Sequence, residues 1–492
     1  MPVKTVPVRE LDKGINKQFP GSMVLWSDGR NVRFTPGFVS KTPGKFWLAT
    51  SFGALPVRAT FSFIGTDGEL RTIVCCDEAV YAYNSDFTSY TTITPSPAPT
   101  GGETDFWQFE LVAGLPILSN GKDAIWKWAS YAGVLTALTG APTWAKRISS
   151  CLHRLVASNL QEGGYTYTGR VRWTEPGNPE NWTIDETTKA GRFDIVNFNT
   201  GVSAIENVKA QVASGQRMFF FVERGLWVSD FAQATKQFIP IDPEAEILAS
   251  RAVCKHGDHI YWLGKKDVFR TGAAGQGKSE PIGLPMRDEI FDNLNAAYTS
   301  LAFAFSMPGT DEVWFCVATG SNTVPDTAYI YNAELKVWSI QGINFSCHGE
   351  KDLTGIPLEI VGNASGDILR LDYGDNDYFA SIYQAIDGRI ESGDMSFDNP
   401  DRMKVIAEVI PDLKEQTTVC ELLVQVGVRN RLGEDIKWSD PVAFTIGVSQ
   451  RCDFSAFRKE GKWVRFRFYS NQRDTPWSLS GFTINYELRG TR

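Results

Sequence analysis

The segment of this chain that most resembles a chemical motif is Gly272 to Ser279, GAAGQGKS, which matches the phosphate-binding P-loop pattern. In a P-loop the lysine and serine begin a helix, whose free N–H groups and dipole face the phosphates. Here Lys278-Ser279 is followed by EPIGLP, and two prolines and a glycine oppose such a helix. We therefore predict a solvated glycine-rich loop at this position and no nucleotide site.

Two short Cys-His pairs are the next candidates, since Cys151 with His153 and Cys254 with His256 are spaced to share one face of a strand. Zinc normally takes three or four protein ligands, and neither pair has an evident second pair. We predict buried, hydrogen-bonded side chains at these positions and no metal site.

The remaining polar residues give no catalytic pattern. Asp372, Asp375 and Asp377 depart from the spacing of a calcium loop and lack its bidentate glutamate, so we expect a solvated turn. There is no G-x-S-x-G, and four scattered histidines single out no general base. Carboxylates are abundant, so a pair of catalytic carboxylates like that of glycosidases remains an alternative. We predict no catalytic residues, no cofactor and no enzyme.

Composition favours strands over helices. Apolar residues make up 42% and charged residues 22% of the chain, which is ordinary globular usage. Gly 44, Pro 24, Trp 15, Tyr 15 and Phe 31 favour many short strands joined by turns. The absence of a long apolar run and of an apolar leader predicts a soluble protein made in the cytosol. The predicted fold class is all-β.

A repeated unit occupies the middle of the chain. Each copy is a tight polar turn that leads into a short alternating strand, and successive copies begin 40 to 60 residues apart. This spacing is typical of propeller blades. We predict a β-propeller of about six or seven irregular blades over residues 51–395. The copies are centred on Val80, Ile125, Val171, Leu226, Val268, Ala328 and Ile368.

The pattern changes near residue 400 to longer, evenly alternating strands, which predict a C-terminal β-sandwich platform over 396–492. Alternation of Trp26, Val32 and Phe34 predicts that residues 1–50 add strands to this platform or close the propeller. Helices are few. The best candidate begins near Pro285 and continues to Leu294, packed on the propeller rim.

Charge separates the ends from the body. The net charge is −8, but residues 1–50 hold eight basic and three acidic side chains, and residues 451–492 hold nine and four. Each end is therefore +5 and the body −18. The acidic body argues against a tight grip on nucleic acid through phosphates. We expect the two basic ends to lie together in one platform that faces an acidic surface.

Three segments resemble those of a known family, the tail tubular or nozzle proteins of short-tailed bacteriophages. FPGSMVLWSDGRNVRFTPGFVSKTPG resembles the family's opening, TPWSLSGFTINYELRGTR its closing segment, and GRVRWTEPGNPENW, from Gly169 to Trp182, an internal blade segment. The opening match is carried by Trp26, Asp28, Gly29, Asn31, Val32, Arg33 and Phe34. The closing match is carried by Trp477, Leu479, Ser480, Gly481, Gly490 and Arg492.

The resemblance implies a structural virion protein of the phage tail, made in the bacterial cytoplasm. It implies a homo-hexameric tube or nozzle below the head-to-tail adaptor ring, beside tail fibres or spikes, which conducts double-stranded DNA toward the host cell surface. The alternative is a glycan-binding or glycan-cleaving propeller at the tail tip. Within the opening motif we expect a local turn around Gly29. We expect Arg33 to point outward, either to a neighbouring subunit's carboxylate or to solvent.

Overall fold

Strands form nearly all the regular structure of this protein, seen here in a computed structural model. Among the described residues, no helix is long and apolar enough to cross a membrane. The helical segments are Phe52–Ala54, Arg287–Asn293, Ala296–Leu301 and Pro308–Thr310, of which only Arg287–Asn293 is α-helical. The structure describes residues 3–19, 25–185, 187–197, 204–272, 278–353, 356–379, 382–414 and 420–490.

Six successive four-stranded antiparallel sheets follow one another along the chain, and we number them blades 1 to 6. Blade 1 comprises Ala59–Ile64, Leu70–Cys75, Val80–Tyr83 and Tyr90–Thr92, and blade 2 comprises Gln108–Val112, Leu115–Ser119, Trp126–Lys127 and Thr136–Ala137. Blade 3 comprises Trp144–Cys151, Arg154–Glu162, Tyr165–Trp173 and Gly191–Asp194, and blade 4 comprises Ala210–Ser214, Arg217–Val222, Gly225–Asp230 and Phe238–Asp242. Blade 5 comprises Val253–His256, His259–Leu263, Val268–Gly272 and Glu280–Pro281, and blade 6 comprises Phe303–Met307, Glu312–Val317, Thr327–Asn332 and Val337–Gly342. A two-stranded hairpin, Val196–Asn197 with Ala204–Ile205, lies between blades 3 and 4.

Blade 7 joins the two ends of the propeller. Its first three strands are Cys347–Leu353, Ile356–Gly362 and Asp367–Arg370, and its fourth is Phe46–Thr50 from near the N-terminus. Two short strands, Asp377–Phe379 and Ile382–Gln384, extend this sheet. The ring of blades is closed because a strand from near the N-terminus completes the sheet of the last blade.

Apolar clusters fill the spaces between neighbouring blades all round the ring. Blades 7 and 1 share a cluster that includes Val57, Tyr81 and Ile360, and blades 3 and 4 share one that includes Trp173 and Phe220. The first strands of the blades lie next to one another, so they are the innermost strands around the axis. The protein is therefore an all-β propeller with seven blades.

The propeller carries a β-sandwich built from both ends of the chain. The first sheet comprises Val3–Val8, Val32–Thr35, Phe38–Lys41, Lys404–Leu413, Cys452–Asp453 and Ser478–Leu488. The second comprises Trp26–Arg30, Gly388–Ser392, Glu421–Arg429, Lys437–Trp438, Val442–Thr445 and Trp463–Ser470. Apolar side chains alternate inward from both sheets, and Phe482 of the first packs 5.0 Å from Phe468 of the second, between ring centroids.

The sandwich and the propeller share one continuous apolar cluster. Phe466 and Ile484 of the sandwich belong to it together with Phe315 and Trp338 of blade 6. The helix Arg287–Asn293 adds its buried Ile290 to the same cluster. Because one core spans both parts, the position of the sandwich on blade 6 is set by packing.

The seven repeat centres all fall on the third strand of a blade or, for Ile125, on the residue before it. The strand limits differ slightly from the expected domain limits. Phe46–Thr50 belongs to the propeller, and Gly388–Ser392 belongs to the sandwich.

Candidate functional site

The opening motif lies where the sandwich meets blade 6, a region we call the joint, formed by Trp26–Thr35 and Val337–Gly342. Asn31 sits here in the left-handed region at φ 54°. Its N–H donates to the Ile340 carbonyl at 2.8 Å, and its Oδ1 accepts from the Gly342 N–H at 2.9 Å. The expected turn is therefore at Asn31 and not around Gly29, and its side chain bonds distant backbone instead of local backbone.

Arg33 is the main electrostatic link across the joint. Its Nε lies 2.8 Å from Glu312 Oε1 in blade 6, and its Nη1 lies 2.8 Å from Asp372 Oδ1 after blade 7. Both expected roles of Arg33 are wrong, because its side chain is only 12% exposed and its partners belong to the same chain. The solvated turn expected at Asp372, Asp375 and Asp377 is present, with residues 373–375 exposed, but Asp372 within it is paired with Arg33. Burial alone lowers the pKa of Arg33, but Glu312 and Asp372 together raise it above its usual value.

Trp26 and Gly29 fix the strand that carries this motif. Trp26 is fully buried and its Nε1 donates to the Leu11 carbonyl at 2.7 Å. A Cβ on Gly29 would lie 2.7 Å from Cδ1 of Ile390 and 2.9 Å from Cδ1 of Ile15, so no larger residue fits without movement. The strand therefore packs closely on its neighbour in the second sheet.

The other three motif residues divide into core and surface. Val32 and Phe34 are buried in the shared cluster. Asp28 lies at the surface end, with Lys17 Nζ 2.6 Å and Arg389 Nη2 3.5 Å from its carboxylate. Burial raises the pKa of Asp28, but the attraction of Lys17 and its hydrogen bond outweigh that effect, and the pKa is lowered.

The closing motif lies beside the opening one in the first sheet. Leu479 is fully buried and pairs with Val39, and the Lys41 N–H donates to the Trp477 carbonyl at 3.0 Å. The closing motif therefore shares a sheet with Val32–Thr35 of the opening motif, with only Phe38–Lys41 between them, although more than 400 residues separate the two motifs in the chain.

The remaining closing residues also have structural roles. Ser480 Oγ donates to the Asp412 carbonyl at 2.9 Å. A Cβ on Gly481 would lie 2.9 Å from the Val8 carbonyl oxygen, so this glycine allows close approach of the N-terminal strand. Gly490 follows the last strand, and Arg492 lies outside the described residues.

Sequence reasoning missed a buried ionic network in the second sheet of the sandwich. Asp394, whose side chain is fully buried, accepts hydrogen bonds from Arg429 and from Arg465, the latter at 2.9 Å. Arg465 also binds Glu391 at 2.9 Å. Burial raises the pKa of Asp394, but the two arginines outweigh it and hold the pKa below its usual value. Only the fold brings these residues together.

Side chains narrow the axis of the propeller. A cavity of about 280 Å³ lies there, lined by innermost-strand residues of blades 1 to 5. Arg147 and Arg251 project into it and donate to backbone carbonyls, Arg147 to Lys209 and Arg251 to Leu301. Burial lowers the pKa values of both arginines to about 10, and repulsion by Arg251 adds a smaller shift to the pKa of Arg147.

Where they are described, the motif-like segments lack the geometry that their motifs require. Residues 273–277 of the P-loop match lie outside the described residues, and Glu280-Pro281 after Ser279 forms a strand instead of a helix. His256 Nδ1 lies 2.8 Å from Ser306 Oγ. Within the described ranges, no three His, Cys, Asp or Glu side chains are grouped to hold a metal.

Comparisons with known proteins give only distant similarities. No protein-family model and no curated protein matches the chain. Among solved structures, the chain is similar to the computationally designed Ika8 protein at 12% identity, covering 66% of this chain and 99% of that one, with a TM-score of 0.38. It is similar to the N-terminal domain of Nup159 at 9% identity, covering 68% and 95%, with a TM-score of 0.40. A third similarity is to PorZ of Porphyromonas gingivalis, a surface component of the type-IX secretion system, at 8% identity, covering 81% and 46%, with a TM-score of 0.41. These similarities say nothing about activity, and the strand pairing itself defines the propeller.

Proposed function

We propose that this chain is a structural protein of the tail of a short-tailed bacteriophage, where it forms the tube or nozzle that conducts double-stranded DNA. The observation that carries the proposal is the meeting of the two motifs in one sandwich sheet. Leu479 pairs with Val39 there, and Arg33 holds that sheet to blades 6 and 7. The described motif residues other than Gly490 serve packing, ion pairing or hydrogen bonding, as expected of a structural protein.

The narrow propeller axis supports a bore between subunits. A cavity of about 280 Å³ is at the lower end of small-molecule pockets, which hold about 300–1,000 Å³. It is far too small for a duplex whose major groove alone is about 12 Å wide. DNA therefore needs a channel formed by several copies related by rotation, with contacts that close into a ring. The family resemblance gives six as the number of copies.

The distribution of charge supports the same role. The body between residues 50 and 451 carries −18, and a wall that repels phosphate lets a duplex slide without sticking. The basic ends both contribute strands to the sandwich, for example Val3–Val8 paired with Ser478–Leu488. A basic sandwich suits an acidic neighbour such as the adaptor ring.

Immunogold electron microscopy tests the location. Antibodies raised against the purified chain are applied to intact phage particles from cultures that carry its gene. The proposal expects label on the tail between the head and the fibres. Label confined to the capsid, or absence of the chain from particles, contradicts it. Label only at the distal tip, together with release of sugars from host polysaccharide, would instead favour the glycan-cleaving alternative.

A further inference from the structure

Four basic side chains converge in one cleft between blades 3 and 4. The cleft holds about 620 Å³, and its charged lining residues, which define what we call the basic cleft, are Arg154, Lys189, Arg192 and Lys236. Arg154 begins the second strand of blade 3, and Lys189 and Arg192 flank the start of its fourth strand. Lys236 lies in the connection between Gly225–Asp230 and Phe238–Asp242 of blade 4. Hairpins from two blades therefore bring the charges together.

Arg154 is the unusual member of the group. It is only 8% exposed, and its Nε is buried without a hydrogen-bond partner. Arg58 and Arg170 are neutralised, by Asp77 at 2.8 Å and by Asp194 at 2.7 Å, whereas Arg147 and Arg251 at the propeller axis share with Arg154 the absence of a paired carboxylate among the described residues. A buried guanidinium without a counter-charge is costly, and an anion bound beside it removes that cost.

No carboxylate among the described residues lines the basic cleft. Asp230 lies close enough to attract Lys236, and its two oxygens also accept from Gln216 Nε2 at 3.1 Å and from the Ala232 N–H at 2.8 Å. Lys236 donates to the Gln233 carbonyl, a neutral partner. Burial, and then repulsion by Arg154, lower the pKa of Lys236 despite Asp230. The positive charge in this cleft is therefore only partly balanced, by Asp230 near Lys236 and by Asp194 near Arg192.

A second cleft has basic lining residues too, but it also has acidic ones. The cleft lined by Arg224, Lys265 and Lys266 also contains Glu244 and Glu246. Lys265 Nζ lies 3.3 Å from Glu246 Oε1. Basic residues are balanced by acidic ones there, which makes that cleft a matched control.

The other residues that line the cleft indicate which class of molecule bears the anionic group. Gln233 and Thr235 offer an amide and a hydroxyl, while Ala190, Ala234 and the ring of Trp173 offer apolar surface. Such a mixture suits the hydroxyls and C–H faces of a sugar. The volume also exceeds what a single inorganic anion fills.

We propose that the basic cleft binds a phosphorylated saccharide, with Arg154 and Lys236 holding its phosphate. Charge-assisted hydrogen bonds from guanidinium and ammonium groups are the usual means of phosphate recognition. The site belongs to the propeller and does not depend on where the protein assembles. A free sugar phosphate and the phosphorylated sugar of a surface glycan carry the same recognised chemistry.

Isothermal titration calorimetry at low salt on the full chain tests the proposal with glucose 1,6-bisphosphate, glucose, inorganic phosphate and an oligoglutamate peptide. We expect the bisphosphate to bind, glucose not to bind, and inorganic phosphate to bind at least about tenfold more weakly. Lys236→Ala and Arg154→Gln should each weaken the bisphosphate about tenfold or more. Lys265→Ala, in the balanced cleft, should leave affinity unchanged.

Other results overturn the proposal. They are the absence of bisphosphate binding, equal binding of inorganic phosphate, binding unaffected by Lys236→Ala, and a preference for oligoglutamate, which would indicate an acidic protein partner. Lys236 is only half-buried and lies in a connection between strands, so its variant remains informative if Arg154→Gln fails to fold. A second arm compares a phosphorylated bacterial surface polysaccharide before and after phosphatase treatment. Phosphate-dependent binding there assigns the ligand to the cell surface, whereas binding of the bisphosphate alone assigns it to a free sugar phosphate.

Discussion

Replacement of Arg33 by methionine should weaken the joint more than replacement of any exposed arginine. Arg33 makes four hydrogen bonds of 2.8 to 3.1 Å to Glu312 and Asp372. Removal of one partner of a buried ionic pair costs about 3–5 kcal/mol, because the remaining charge is left uncompensated. Glu312 keeps donors from Thr310 and Trp314, and Asp372 is 25% exposed and regains water. We therefore expect the lower end, about 3 kcal/mol.

Urea unfolding followed by tryptophan fluorescence measures this loss. The matched control is Arg451→Met in the same sandwich, since Arg451 lies 2.9 Å from Glu408 but is 63% exposed. An exposed pair contributes about 0–1 kcal/mol. The double variant Arg33→Met, Glu312→Gln should recover part of the lost free energy of unfolding, because it removes the uncompensated charge of Glu312. If Arg33→Met and Arg451→Met differ by less than about 1 kcal/mol, the joint does not depend on this ionic link.

Three further predictions concern single residues. Gly29→Ala should cost about 1–3 kcal/mol in urea unfolding because its Cβ meets Ile390, whereas Gly102→Ala, with open space around it, should change stability little; equal effects would refute the packing argument. Burial raises the pKa of Glu110 to about 7 in the folded chain from about 4.5, so its contribution to stability is present below pH 4.5 and lost as pH rises through 7. Glu110→Gln should therefore raise the thermal midpoint at pH 8 but not at pH 4, and a pH-independent difference would contradict this. Arg154→Met should raise the free energy of unfolding by about 1–3 kcal/mol in the absence of ligand, since it removes an unpaired buried group; a loss of stability would show a hidden partner.

The blade repeat was predictable because it is local. A polar turn and an alternating strand are written in about ten consecutive residues, and all seven centres, from Val80 to Ile368, mark the third strand of a blade. The all-β class and the propeller with its sandwich are confirmed. The fourth strand of the seventh blade could not be predicted from local patterns. Thr50 pairs with Asp367, and nothing in either segment specifies the other.

The contacts that hold the joint were not predictable from spacing. Arg33 alternates outward from its own strand, and that pattern alone suggests solvent. Its partners Glu312 and Asp372 lie 279 and 339 residues away in the chain, and only the docking of the sandwich on blade 6 buries all three. The basic cleft has the same origin, because Arg154 and Lys236 belong to different blades.

The most direct test of the tail assignment is the symmetry of the assembled protein. Electron cryo-microscopy of tails isolated with this chain should show several copies related by rotation around one axis, six by the family resemblance. Duplex DNA should lie in a bore between the copies, beside seven-bladed propellers whose own axes are narrowed by side chains. A map with a single copy on the tail axis, or with DNA passing through a propeller's own axis, would contradict the account.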